Sequence, residues 1–268
     1  MGILNITPDS FSDGGKYFNL KSAVARGRRL VEEGADIIDI GGESTRPFSE
    51  PVSAEEEIRR VVPVIENLAK HIPVPVSIDT TKAMVAERAI EAGASMINDI
   101  SALRLDDRMG NVAAKYEVPV ILMHMLETPK TMQVSPVYDD PVKEIKEFLE
   151  NAINRAESKG IPKSKIIIDP GVGFGKTVEH NLILIKHLRE FLSLNVPVLL
   201  GPSRKKFIRT ILEDGTGREV KPDLPEVETC THAAIACAVL NGAHIVRVHD
   251  VAGTRATVKI VDAVKNVA

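Results

Sequence analysis

Short apolar runs rich in valine and isoleucine alternate along the chain with longer amphipathic stretches, and little lies between them. The runs predict eight strands, at residues 2–6, 36–40, 74–78, 95–98, 118–123, 166–168, 196–200 and 243–248. A helical pattern follows each one, around 20–33, 53–71, 81–92, 107–116, 140–159, 178–194, 203–213 (continuing at 226–241) and 252–266. Gly34, Gly93 and Gly160 sit where three of these helices should stop, and glycine takes the left-handed turn that ends a helix. Continuous apolar runs such as Val-Ile-Leu-Met at 120–123 suit parallel strands covered on both faces. Strand then helix, eight times over, predicts the α/β class and a single-domain (β/α)8 TIM barrel. An open doubly wound sheet would want a glycine-rich phosphate loop after its first strand, and none follows Ile6.

Length agrees, because 268 residues is close to the ~250 that one such barrel fills. No linker interrupts the pattern, so one domain over 1–268 is expected, with 214–228 and the segment after Ile6 as its loop-like departures. Lys+Arg number 34 against 37 Asp+Glu, which argues against nucleic acid or an anionic membrane as a partner held by bulk charge. Cys230 and Cys237 form no CxxC, so a reducing cytoplasm is the expected location. They fall seven apart on one helical face and read as core residues. No apolar run approaches the ~18 residues of a spanning helix. The opening MGILNITPDSF lacks the basic flank of a signal peptide, and Ile6 breaks the myristoylation pattern.

The chemistry of a barrel of this kind sits at the C-terminal ends of its strands. Those ends carry Asn5, Asp39, Asp79, Asn98 with Asp99, His124, Asp169, Ser203 with Arg204 and Lys205, and Arg247 with His249. Carboxylates, amides and cations on one rim suit a polar heterocycle bearing an anionic group. Asp79 or Asp169 could accept two parallel N–H bonds from an amidine-like ring edge. Arg46, Lys205, Arg247 and His249 could hold phosphate or carboxylate. DPGVGFGKT at 169–177 fails as a P-loop, since its first glycine position falls on Pro170, and Lys176 breaks the dinucleotide pattern. Its glycines instead let backbone approach a flat ligand beside Phe174. His124, between two methionines, lacks a second histidine at ligand spacing and reads as a packed strand-end residue. No nucleophile–base pair stands out, so covalent catalysis is not indicated.

The strings MGILNITPDSFSDGG, GGESTRP, SIDTTK, INDISA, LMHM with TPKTMQ, DPGVGFGKT, SRK and RVHDV resemble, in order and spacing, the dihydropteroate synthase family over nearly the whole chain. The resemblance implies a (β/α)8 barrel that joins p-aminobenzoate to 6-hydroxymethyl-7,8-dihydropterin diphosphate, giving 7,8-dihydropteroate and pyrophosphate, with sulfonamides competing for the p-aminobenzoate site. It implies that Asp79, Asn98, Asp169 and Lys205 grip the pterin between Ile100, Met123 and Phe174. Thr45, Arg247, Val248 and His249 would lie at the diphosphate end, with Asn5 helping to hold a Mg2+ ion. Arg46 resembles the loop arginine that closes over this end, and Phe11, Asp13 and Pro47 resemble the loop residues of the p-aminobenzoate pocket. Asp13, Arg46, Asp79, Asp169 and Lys205 would be the catalytic set. The resemblance also suggests a homodimer through helices late in the chain, where 233–240 is strongly apolar.

Departures from the family pattern fall at two places. Phe48 stands where many relatives have glycine after STRP, and Lys206 stands where serine is usual after SRK, beside the p-aminobenzoate carboxylate. The chain opens directly on strand 1, ahead of which relatives usually carry more residues, which points to a trimmed start. The alternative is a pterin-dependent methyltransferase barrel working with a corrinoid protein. The STRP and SRK strings speak against it, because they serve diphosphate and p-aminobenzoate.

Overall fold

The computed structural model describes residues 1–7, 19–44, 52–126, 132, 136–213 and 220–267. Eight parallel strands are present: β1 (Gly2–Asn5), β2 (Ile38–Gly41), β3 (Val76–Asp79), β4 (Met96–Asp99), β5 (Val120–Met123), β6 (Ile166–Asp169), β7 (Leu199–Leu200) and β8 (Ile245–Val246). The first six pair in chain order, and β7 pairs with β8. Single bridges from Ile168 to Val198 and from Gly2 to Val248 close the ring. The eightfold barrel expected from the sequence is the fold.

Helices α1 (Leu20–Glu32), α2 (Ala54–Ala69), α3 (Ala83–Glu91), α4 (Met109–Lys115), α5 (Pro141–Ser158), α6 (Val178–Lys186), α7 (Lys206–Leu212), α8 (Pro225–Leu240) and α9 (Val251–Asn266) pack outside it. Gly34, Gly93 and Gly160 all have positive φ, as their helix-ending role requires. Two helical expectations change. The stretch 178–194 divides into α6 and a 3-10 turn at Leu188–Leu194, closed by Asn195 in the left-handed conformation. Helix α7 starts at Lys206 rather than 203, because Arg204 is itself left-handed, with φ +59°.

Alternation along each strand sorts the residues. Val120 and Leu122 of β5 join the outer core against the helices, while Ile121 faces into the barrel with Met1, Met96, Ile167 and Leu199. The same phase, carried up each strand, aims Asn5, Asp79, Asn98, Met123, Asp169 and Arg247 at the C-terminal mouth. Register puts Asn5, Gly41, Asp79 and Asn98 in one row across four strands.

Candidate active site

Arg247 organises one side of the mouth. Its Nε donates to Asp39 Oδ2 at 2.6 Å and its Nη2 to Asp79 Oδ2 at 2.5 Å. Asp39 lies one layer lower, with no exposed surface, and also accepts from Asn98 Nδ2 at 3.0 Å. Burial pushes the Asp79 carboxyl up to about 7, with Arg247 opposing and Asp39 adding to the rise. Burial works against the Arg247 charge, but Asp39 and Asp79 more than offset it and hold the guanidinium protonated.

The opposite side is differently made. Asp169 Oδ1 accepts from the Gly171 N–H at 2.7 Å, and burial raises this carboxyl against the pull of Lys205. Lys205 Nζ donates to the Val172 carbonyl and lies 4.2 Å from the centre of the Phe174 ring. Burial lowers the Lys205 ammonium to about 8. Its stem crosses Gly173, where any Cβ would come within 2.6 Å of Lys205 Cδ. Gly171 is as tightly bound to its type, since a Cβ there would meet the His124 carbonyl oxygen at 1.9 Å. Ser203 Oγ lies 2.9 Å from His249 Nδ1 and accepts from the His249 N–H at 3.2 Å, which fixes that ring at the rim.

Between the two sides stands an apolar wall of Ile100, Met123, Met125 and Met132, with Phe174 packed on it. His124 is buried behind this wall, as a packed strand-end residue should be. Burial depresses its ring to about 2, and Lys176 Nζ lies 2.9 Å from its Nδ1 and donates to the Phe174 carbonyl at 2.9 Å. A protonated ring would repel the Lys176 ammonium, whereas the neutral ring offers Nδ1 as an acceptor.

Other expected rim residues are placed elsewhere. Asp99 is buried in a local turn, accepting from Ser101 and Leu103, and faces no ligand space. The side chain of Val248 lies in the outer core, because it is one residue out of phase with Arg247, and its backbone bonds Met1 and Ile3. Cys230 is half-buried, but Cys237 is exposed on the outer face of α8, which corrects its reading as a core residue. Lys206 is exposed at the first position of α7. Asn5 is half-buried at the end of β1, and no side-chain hydrogen bond holds its amide among the described residues. Phe11, Asp13, Thr45, Arg46, Pro47 and Phe48 lie outside the described residues.

Sequence reasoning gave no role to several groups that shape the site. Asp39 orients Arg247 and Asn98, and strand phase, two residues below Gly41, is the signal for it. Glu43 accepts from the Val52 N–H at 2.8 Å, drawing together the two ends of the segment that carries GGESTRP. Lys82 holds Glu43 at 2.6 Å and the buried Glu57 at 2.7 Å. Among the described residues, the group of three side chains able to converge on a metal ion is Glu228, His232 and Asp250, on α8 and the N-cap of α9.

Residues 1–249 match the family model described as pterin binding enzyme. The chain is 45% identical over 263 residues to the dihydropteroate synthase of Synechocystis sp., covering 98% of this chain and 89% of that protein. Its fold superposes with a TM-score of 0.91 on Yersinia pestis dihydropteroate synthase in a sulfonamide drug complex, at 44% identity, covering 99% of this chain and 94% of that one. Xanthomonas albilineans dihydropteroate synthase matches with 4-aminobenzoic acid (TM-score 0.90, 47% identity) and with 7,8-dihydropteroate (0.87, 45%), each covering 100% of this chain and 93% of that one.

Proposed function

The chain belongs to the pterin-binding enzymes, and among them to the dihydropteroate synthases, and we propose that its rim joins p-aminobenzoate to 6-hydroxymethyl-7,8-dihydropterin diphosphate to give 7,8-dihydropteroate and pyrophosphate. The observation that carries the assignment of roles is the mouth itself, where Asp79, Asn98 and Arg247 face Asp169 and Lys205 beside an apolar wall.

A pterin presents N–H groups along one edge and acceptors along another. Asp79 and Asp169 accept from the first, Asn98 and Lys205 complete the grip, and Ile100, Met123 and Phe174 cover the ring. Arg247 and His249 meet the diphosphate together with Thr45. Val248 contributes only backbone at this end. The C–O bond to the diphosphate breaks with its electron pair leaving on pyrophosphate, and positive charge develops on the pterin methylene. Asp79 and Asp169 favour that charge through the ring. The amine of p-aminobenzoate then forms the C–N bond and releases its proton, a step that needs no strong base. By the family resemblance, Arg46 is assigned to the diphosphate end and Phe11, Pro47 and Asp13 to the p-aminobenzoate pocket, all outside the described residues, and the exposed Lys206 ammonium is assigned to the p-aminobenzoate carboxylate.

Asn5 fits a Mg2+ ion held mainly by substrate. It offers a hard, neutral oxygen at the rim, and Mg2+ usually takes one or two protein ligands with phosphate and water completing its shell. When bound, Mg2+ neutralises charge on the departing pyrophosphate. The Glu228, His232 and Asp250 group fits this role poorly, since Glu228 is committed to Arg204.

We also assign a homodimer through α8 and α9. Leu240, Ile260, Val264 and Val267 are exposed there, an apolar surface better covered than wet. Light scattering on the purified chain should give twice the monomer mass. No helix among the described residues is long and apolar enough to cross a membrane. The two isolated thiols support a reducing, cytoplasmic location.

The test is pyrophosphate release from the dihydropterin diphosphate with Mg2+, with and without p-aminobenzoate. Release that requires p-aminobenzoate and yields dihydropteroate is expected. A folded chain that binds the pterin without releasing pyrophosphate would overturn the assignment and favour the corrinoid-linked alternative.

A further inference from the structure

Arg204 sits between two rim residues, yet its own side chain turns away from the mouth. It forms an ion pair with Glu228 on α8, and its backbone N–H donates to Thr231 Oγ1 at 3.3 Å, one helical turn further along. Thr231 is fully buried and the Glu228 side chain is only 17% exposed, so both are fixed points. The backbone at Arg204 is left-handed, with φ +59°, a conformation that a long side chain adopts only where its surroundings impose it. On one side of this turn Ser203 holds His249; on the other, Lys205 begins the narrow path over Gly173 to Val172 and Phe174.

We infer that Arg204 and Glu228 form a positioning pair that anchors the turn after β7 to α8 and so aims Lys205 into the mouth. This rests on Lys205 acting at the pterin, as proposed above. Neither member touches substrate. The pair sets the direction of a lysine whose stem passes closely over Gly173, and a turn free to relax toward right-handed backbone would swing that stem off Gly173.

The experiment uses Arg204→Gly, Arg204→Lys and Glu228→Gln, each alone and combined with Lys205→Met. Glycine adopts the left-handed turn freely, so Arg204→Gly keeps the fold while removing the ion pair. Arg204→Gly and Glu228→Gln should each lower kcat/KM for the dihydropterin diphosphate roughly tenfold, chiefly through KM, and Arg204→Lys should recover part of the loss. In the Lys205→Met background the same changes should cost nothing further. Equal losses in both backgrounds would mean a general structural role and overturn the inference, as would an Arg204→Gly enzyme with normal KM. If Lys205→Met is itself harmless, the assignment of Lys205 fails and the pair has nothing to aim.

Discussion

The two sides of the mouth are built from the same kinds of charge in opposite states. Around Arg247 the charges are closed on one another, with Asp39, Asp79 and the guanidinium bonded at 2.5–2.6 Å. Around Lys205 they are left apart. The ammonium bonds a carbonyl and lies over a ring, Asp169 bonds a backbone N–H, and no carboxylate reaches ion-pair distance of Lys205 among the described residues. The difference teaches that one side is held together by its charges, whereas the other spends folding stability to keep an acid and a base available.

That contrast is broken most sharply by removing each cation. Arg247→Met leaves two buried carboxylates without their partner and should destabilise the fold by about 3–5 kcal/mol, while Lys205→Met removes a poorly solvated ammonium and should leave the unfolding midpoint unchanged or higher. Denaturant titration of both variants measures it, and equal losses would erase the distinction.

Asp169→Asn comes next. It keeps the shape and the bond from Gly171 but removes the charge, so C–N bond formation should slow by about 10²–10³-fold in a folded protein. Near-normal single turnover would sink the proposed role of Asp169.

A pH profile sharpens the contrast further. Asp79 must be ionised to accept from the pterin, which holds above about 7, and Lys205 must be protonated, which holds below about 8. So kcat/KM for the pterin substrate should peak between these values and fall about tenfold per pH unit beyond either limb. The smallest effect is expected at Lys206, an exposed ammonium, where Lys206→Ser should raise the KM for p-aminobenzoate only a few-fold.

Much of this architecture was legible because apolar runs and helical periods are long-range signals that survive small errors. The apolar runs place all eight strands to within a few residues at their ends. The shortest, β7 and β8, are shorter than their apolar runs, because beyond the pairs Leu199–Ile245 and Leu200–Val246 the pairing continues only as single bridges at Val198 and Val248. The site is less legible in the sequence. A strand-end carboxylate looks the same in sequence whether it stands at the mouth, as Asp79 does, orients an arginine from below, as Asp39 does, or closes a turn, as Asp99 does. Phase turns Asp99 and Val248 away from the mouth, and depth along the strand, one layer lower for Asp39, separates Asp39 from Asp79. A left-handed arginine leaves no periodic trace, so the start of α7 and the anchoring of Arg204 could come only from the folded backbone.

Arg247 has its guanidinium satisfied within the chain, by Asp39 and Asp79. Any anion that bonds this guanidinium must compete with Asp39 and Asp79 for it, and a lone phosphate brings nothing to offer Asp79 in exchange. A pterin diphosphate does, because its ring supplies N–H donors as its phosphates draw on the arginine. Once the bond between ring and diphosphate is cut, that exchange no longer has two halves in one molecule. In the proposed reaction the arginine then closes again on its carboxylates, so pyrophosphate should leave readily and free phosphate should compete only weakly for this end of the mouth.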